Sequence, residues 1–178
     1  MPQSSRKDQS LDPAGEFPFQ LDRYLFYLLF HAALQRDVLF DRTTPPGGPT
    51  LQRWRALAVI GRIENCSMKD LALYTGVDRT TLTRTVDQLV GEKLVERWSS
   101  PRDRRRVNLS LSPEGEALCA SAIAPLMAGN RALLSGLDEA SLRTTARVLQ
   151  HIVRKALGDP LTAERLLAYG GGPVPSSK

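Results

Sequence analysis

The sequence predicts a mostly α-helical protein with one small β-hairpin, on three observations. Apolar residues recur at helical spacing along Phe19–Arg42 and again from Ser112 onward. Between these stretches, two short helical patterns meet at a single glycine, Gly76. The period then drops towards two, and Arg106-Val107-Asn108-Leu109-Ser110-Leu111 alternates polar with apolar, as a half-buried strand does.

Size and charge narrow the class. A chain of 178 residues holds one sizeable core, or one core plus a dimerisation extension. Its hydrophobic fraction of 42% and charged fraction of 24% are those of an ordinary soluble globular protein. The net charge of +5 favours an anionic partner. Two cysteines, Cys66 and Cys119, cannot build a disulfide framework, which fits a reducing cytoplasm. The N-terminus has no apolar core of the secretory type. The most apolar run, Tyr24–Leu34, has 11 residues, against the ~20 needed to cross a bilayer. No membrane association is expected.

Residues 1–16 are polar and read as a disordered arm, followed by a dimerisation helix and linker over 17–48. The first helix carries apolar residues at 21, 24, 25, 28, 29, 32 and 33, and Phe26, Tyr27 and Phe30 widen the stripe beyond one ordinary buried face. Such a helix must be covered on several sides, and a partner subunit is the natural cover. Thr43–Pro49 (TTPPGGP) breaks it. Residues 49–112 form the next unit. Leu51–Ile63 is a helix that turns Trp54, Leu57, Ala58, Ile60 and Gly61 inward, and Ser67 caps the following helix with Asp70 three residues on. Residues 113–168 return to dimerisation helices. Ser112-Pro113 starts one that runs to about Leu134 with a bend near Pro125. Asp138 starts another, whose Leu142, Leu149, Ile152, Val153 and Ala156 share a face until Gly158 and Pro160. A short helix over 161–168 precedes a disordered tail, 169–178.

The central unit carries the chemistry. A helix-turn-helix needs a small residue where its helices touch and a turn residue that tolerates positive φ, and Ala72 and Gly76 stand four apart in those roles. Leu71, Val77, Leu82 and Val86 supply the apolar crossing, and Leu82, Val86, Leu89 and Val90 turn the second helix's other face outward. That outer face has Arg79, Thr80, Thr83, Arg84 and Asp87. Arginine forks onto a guanine edge, while threonine offers a hydroxyl to phosphate and a methyl to thymine. Next, Arg97–Arg106 (RWSSPRDRRR) places five arginines and one aspartate on a hairpin tip. An arginine there can enter the minor groove, where the negative potential is deepest. Asp103 can hold the Arg105 guanidinium.

These residues resemble the MarR family of winged-helix regulators. The matching positions are Leu71-Ala72, Thr75-Gly76-Val77-Asp78, Thr80-Thr81-Leu82-Thr83-Arg84, Val86-Asp87-Gln88-Leu89 and Leu94-Val95-Glu96-Arg97. They continue through Asp103-Arg104-Arg105, Val107-Asn108-Leu109-Ser110 and Pro113-Glu114-Gly115. The resemblance covers about 20–158 and is strongest over 67–115. It implies a winged helix-turn-helix plus a helical dimerisation region: a homodimer on a pseudo-palindromic double-stranded DNA operator, with recognition helices about one DNA turn (~34–36 Å) apart. It puts Thr80, Thr81, Thr83 and Arg84 in the major groove, beside Arg79. Arg105 would enter the minor groove, steadied by Asp103 between Arg102 and Arg104, while Ser67 and Lys69 meet phosphate. One departure stands out. The family usually has glycine just before the first wing strand and this chain has Lys93, which costs on the order of 1 kcal/mol if the position is left-handed.

The resemblance further implies a repressor released by a small aromatic or phenolic acid bound between the dimerisation helices and the DNA-binding lobe. Candidate liners are Tyr24, Tyr27, His31, Trp54 and Arg55, with His31 or Arg55 pairing a carboxylate; ordinary packing is the plainer role for each. Redox control is the alternative switch, and Cys66 before a helix N-terminus is its candidate thiolate. A winged helix that binds only other proteins is a third option, though it needs no five-arginine wing. An enzyme is not expected. His31 and His151 lie far apart, there is no H-x-x-x-H, C-x-x-C or strand-linked G-x-G-x-x-G, and no catalytic residue, metal or cofactor is implied.

Overall fold

The computed structural model describes residues 21–99 and 107–168. The arm (1–16), the tail (169–178) and the wing tip with Arg102, Asp103, Arg104 and Arg105 lie outside the described residues. The described chain is mostly helical with one small sheet, the expected fold class. Its elements run α1 (Leu25–Thr43), α2 (Leu51–Arg62), β1 (Cys66–Ser67), α3 (Met68–Thr75), α4 (Arg79–Gly91), β2 (Val95–Ser99) and β3 (Val107–Leu111). Four more helices follow: α5 (Pro113–Ser121), α6 (Ile123–Leu134), α7 (Glu139–Leu157) and α8 (Pro160–Leu167).

The first helix starts later than its apolar periodicity predicts. A turn closed by the Tyr24 amide on the Leu21 carbonyl precedes it, and Tyr24 caps it with no side-chain acceptor. Nothing local marks the start, because the usual Ser, Thr, Asp or Asn is missing. The end is sharper. Thr44 donates its backbone N–H and its hydroxyl to the Phe40 carbonyl, and Pro45 disfavours a further helical residue. α2 then begins at the Thr50 cap, and Asp41 on α1 accepts the Leu51 amide.

The lobe built from α2 to β3 has a closed core. Ala56, Leu57, Val59 and Ile60 of α2 meet Leu71, Leu82, Val86, Leu89, Val95 and Leu109, all buried. Of the residues expected to turn inward on α2, Leu57 and Ile60 are buried, Trp54 and Ala58 are partly so, and Gly61 is exposed. The sheet order is β1-β3-β2, wholly antiparallel, with Cys66 opposite Leu109 and Ser99 opposite Val107. Gly115 explains the Pro-Glu-Gly start of α5. A Cβ there would sit 2.0 Å from the Leu94 carbonyl oxygen, which also accepts the Ser112 amide. Only glycine lets the helix press against the strand entrance that closely.

The expected helix from Ser112 to Leu134 is two helices, and the break falls at Ala122 rather than at Pro125. The proline ring clashes with the carbonyl four residues earlier, on Ser121, so the helix gives way one turn before it. Pro125 then occupies the first turn of α6, where a missing N–H costs nothing. Within residues 113–134 one 18-residue window reaches a mean hydropathy of 1.3, enough by length and composition alone to pass for a membrane span.

Outside the lobe, little is covered. Phe40 alone is buried on α1, and α6 and α7 bury no residue. Tyr24, Phe26, Tyr27, Phe30, Ile123, Met127, Leu134, Val148 and Leu157 are all exposed.

Candidate nucleic-acid interface

The helix-turn-helix is α3 and α4. Ser67 and Asp70 form a full capping box: the Ser67 hydroxyl accepts the Asp70 amide, and the Asp70 carboxylate accepts the Ser67 amide at 3.1 Å. Gly76 ends α3 at φ 67°, the left-handed conformation its place in the turn requires. Asp78 then caps α4 through the Thr81 amide at 2.9 Å, and those bonds hold its carboxyl below the usual range. α4 therefore leaves the turn with its first N–H groups aligned and its axis fixed by Leu82, Val86 and Leu89 in the core.

Helical geometry sorts the remaining α4 residues. Thr80, Arg84, Asp87 and Gly91 lie opposite the core and are exposed. Thr83 flanks them and donates its hydroxyl to the Arg79 carbonyl at 2.8 Å, so its methyl is the part left to offer outward. Arg79 is exposed at the helix start. Thr81 is half-buried on the opposite flank, beside Thr85, whose hydroxyl donates to the Thr81 carbonyl and accepts from Gln52 on α2. Its place is nearer the α2 contact than the outer face. Lys69 is exposed on α3, whereas the Ser67 hydroxyl is committed: it donates to Asp70 at 2.6 Å while accepting the cap bond. Giving a proton to phosphate would cost that bond.

Two residues that sequence reading left unlinked are joined in space. Arg97 on β2 pairs with Asp87 on α4. The pair ties the base of the wing to the recognition helix and offsets the one carboxylate on its outer face, which would otherwise repel phosphate. At the other end of the wing, Lys93 has φ 61°. The Leu94 amide bonds the Leu89 carbonyl and the Lys93 amide bonds Val90, a complete Schellman motif. Lysine thus occupies the left-handed position that glycine usually fills.

The five candidate effector residues do not gather. Trp54 packs against Phe40, ring centroids 5.8 Å apart, and donates its indole N–H to the Cys119 carbonyl. Arg55 holds both oxygens of Asp37, at 2.8 and 3.0 Å. Tyr27 and His31 stack at 4.3 Å, with Tyr24 a further turn towards the N-terminus of α1. Tyr24 and the Phe40–Trp54 contact lie sixteen residues apart on α1, roughly 24 Å at helical rise. One small aromatic acid cannot touch both ends within a subunit. The groove between α1 and α6, lined by Arg36, Leu39, Phe40, Pro125, Leu126 and Gly129 among others, includes none of the five.

The thiols oppose the redox alternative. Cys66 is 0% exposed in the core, and burial, aided by Asp70, pushes its thiol up to about 12. Burial also raises Cys119. The reading that the α3 N-terminus activates Cys66 is corrected: the helix-end effect is small beside the loss of solvent.

Comparison with known proteins agrees with this geometry. Residues 48–106 match the family model described as MarR family. A putative transcriptional regulatory protein for the hcr operon of Thauera aromatica is 31% identical over 143 residues, covering 80% of this chain and 81% of that protein. The chain belongs to the MarR family. The transcriptional repressor NicR of Pseudomonas putida is 26% identical over 133 residues, covering 71% of this chain and 84% of NicR. A structure of Bordetella bronchiseptica BpsR, described as regulated in its DNA binding by 6-hydroxynicotinic acid, shares the fold. Its TM-score is 0.65 at 24% identity, covering 72% of this chain and 97% of BpsR. This MarR-family protein is a DNA-binding transcriptional regulator and not an enzyme.

Proposed function

We propose that the protein binds a pseudo-palindromic operator as a homodimer in the cytoplasm, represses transcription there, and is released by a small aromatic or phenolic acid. The observation that carries this reading is the outer face of α4. Thr80 and Arg84 stand clear of the core with Arg79 and Thr83 beside them, and Asp87 is neutralised by Arg97. Such a face suits base edges, with Arg84 worth about 1–3 kcal/mol of discrimination at a guanine. Lys69, exposed on α3, suits a phosphate, while Thr81 and Ser67 are the weaker contacts, one turned towards α2 and the other committed to Asp70. Arg102, Asp103, Arg104 and Arg105 lie in sequence between β2 and β3, outside the described residues, and their charge is the support for a minor-groove role.

The uncovered apolar faces of α1, α6 and α7 support the homodimer, since monomers rarely expose so much contiguous apolar surface. They also bear on the effector. Tyr24 can share a small ligand with Trp54 only if a second subunit brings its own α1 alongside. Arg55 is the weaker carboxylate partner, because Asp37 already holds it and would repel an anion.

The test is a titration of duplex binding against salt, with the duplex drawn from a random-sequence pool by the protein itself. Affinity should fall steeply and linearly on a log–log scale. Arg84→Ala should cost about tenfold to a hundredfold in affinity for the selected duplex while leaving the salt slope nearly unchanged. Unaltered affinity in Arg84→Ala would remove α4 from the reading.

A further inference from the structure

The last helix makes a contact that no part of the helix-turn-helix pattern requires. Asp70, the capping residue of α3, is 2% exposed. Besides the two Ser67 bonds it accepts a third, from Arg165 on α8 at 2.9 Å. The Tyr74 hydroxyl, one turn further along α3, donates to the Arg165 backbone carbonyl at 3.2 Å. Two successive turns of α3 therefore hold one residue of α8, by its side chain and by its main chain. The carboxylate is held below the usual range despite a burial that pushes it up, because the Ser67 hydroxyl and amide and then Arg165 favour its charge.

The other side of α8 belongs to α7. Asp159 caps α8 through the Thr162 amide, immediately after the left-handed Gly158 that ends α7. Arg154 on α7 pairs with Glu164 at 2.7 Å, and Ala163 is wholly buried. α7 itself buries nothing and packs against α8 more than against any other element. Within one subunit, α8 is thus the main physical link between the arm helix α7 and the DNA-facing pair α3–α4.

We propose that α8 is a strut that fixes the attitude of the helix-turn-helix relative to the α7 arm, with Arg165 as the positioning residue acting through Asp70. The proposal rests on the DNA-binding reading above for its purpose, but not for its geometry. In a two-fold dimer built on the arms, the strut sets the separation and tilt of the two recognition helices, and so how strictly the operator's half-site spacing is read. Arg165 reaches Asp70 with one nitrogen only, its Nε being buried without a partner. A lysine, which offers a single point charge, should therefore serve at this position.

The first measurement needs no DNA. Gln88→Cys on α4 and Arg147→Cys on α7, both exposed, carry nitroxides in a Cys119→Ser background. Labelled chains are diluted with unlabelled ones, so that each spin pair lies within one subunit. The full chain should give one narrow distance distribution, and Arg165→Ala should widen it at least twofold. Arg165→Lys should restore it. Tyr74→Phe, a gentler change, should widen it in the same sense if Arg165→Ala folds poorly. An unchanged width in both Arg165→Ala and Tyr74→Phe overturns the strut. The second measurement uses the pool-selected duplex with one or two base pairs added between its half-sites. The parent chain should lose tenfold or more in affinity, and Arg165→Ala less than threefold. A widened distribution with no duplex bound by the parent would overturn the DNA reading and leave the strut standing.

Discussion

The winged-helix lobe and the helical arm are built from similar residues to opposite ends. The lobe spends its apolar side chains inward: α2, α3, α4 and the small sheet enclose Leu57, Leu71, Leu82, Val86 and Leu89 with almost no exposure. The arm spends them outward, and across α1, α6 and α7 Phe40 is the one residue buried. The difference teaches that the lobe covers its own apolar surface within one subunit and the arm does not. Buried area stabilises a fold at about 25 cal/mol per Å² only where something covers it. The lobe supplies its own cover, and the arm leaves its apolar faces open, as the proposed homodimer requires.

The largest expected effect breaks the arm alone. Phe30→Glu combined with Val148→Glu places charges on exposed apolar positions of α1 and α7, so the lobe should fold as before. Sedimentation should report monomers, and affinity for a two-half-site duplex should fall on the order of a thousandfold as bivalence is lost. A dimer that survives would mean the arm's apolar faces have another purpose.

Next in size is the converse, a cavity in the lobe. Leu82→Ala removes a side chain with 1% exposure at the crossing of α3 and α4, and should cost about 3 kcal/mol in chemical denaturation. The self-association measured for the arm should persist wherever the protein stays folded.

The junction between the two regions has a pH signature. The folded Asp70 carboxyl lies below its ordinary range, so its contribution to stability is fully present above the unfolded value of about 3.9. It is lost as pH falls from there towards the folded value. Asp70→Asn should lower stability near neutrality by about 2–3 kcal/mol, because Arg165 loses its ion pair and the cap is weakened. Thermal melts of the two proteins should begin to converge only below about pH 4 and meet below the folded value. A difference that stays constant as the pH falls through that range would point to a cause other than the charge.

The smallest effect sharpens the lobe's own boundary. Lys93→Gly relieves a left-handed lysine at φ 61°. The strain is worth about 1 kcal/mol, partly offset by the extra freedom of glycine in the unfolded chain. A rise of a few tenths of a kcal/mol is expected, with operator affinity unchanged if the wing keeps its aim.

Legibility followed the range of the interaction. The Ser67–Asp70 capping box, the left-handed Gly76 and the Ser112 and Asp138 caps are all set by neighbours within four residues, and each could be read in order along the chain. So could the change from helical to strand period at the wing, and the excess apolar surface on α1. Even the Lys93 anomaly was visible as a residue in glycine's place. The break at Ala122 was half legible: Pro125 announced a disturbance, but the clash acts on the carbonyl of Ser121, a turn upstream.

What only the tertiary structure decided are the pairings between charges far apart in sequence. Arg165 meets Asp70 across 95 residues, Arg97 meets Asp87, and Arg55 meets Asp37. Each arginine had many possible partners, and nothing in its local pattern chose among them. For Asp70 burial made the choice, since a carboxylate withdrawn from water must find a partner or lose its charge. Asp87 and Asp37 keep much of their exposure, and the packing of the elements brought their arginines within reach. Burial also withdrew Cys66 from solvent and raised its thiol, while helix packing set Trp54 beside Phe40, far along α1 from Tyr24. The sequence by itself determined most of the helices, their caps and the polar outer face of α4, because local hydrogen bonds and periodicity suffice for those. How the arm, the last helix and the reading head are held together waited on the packing that brought them into contact.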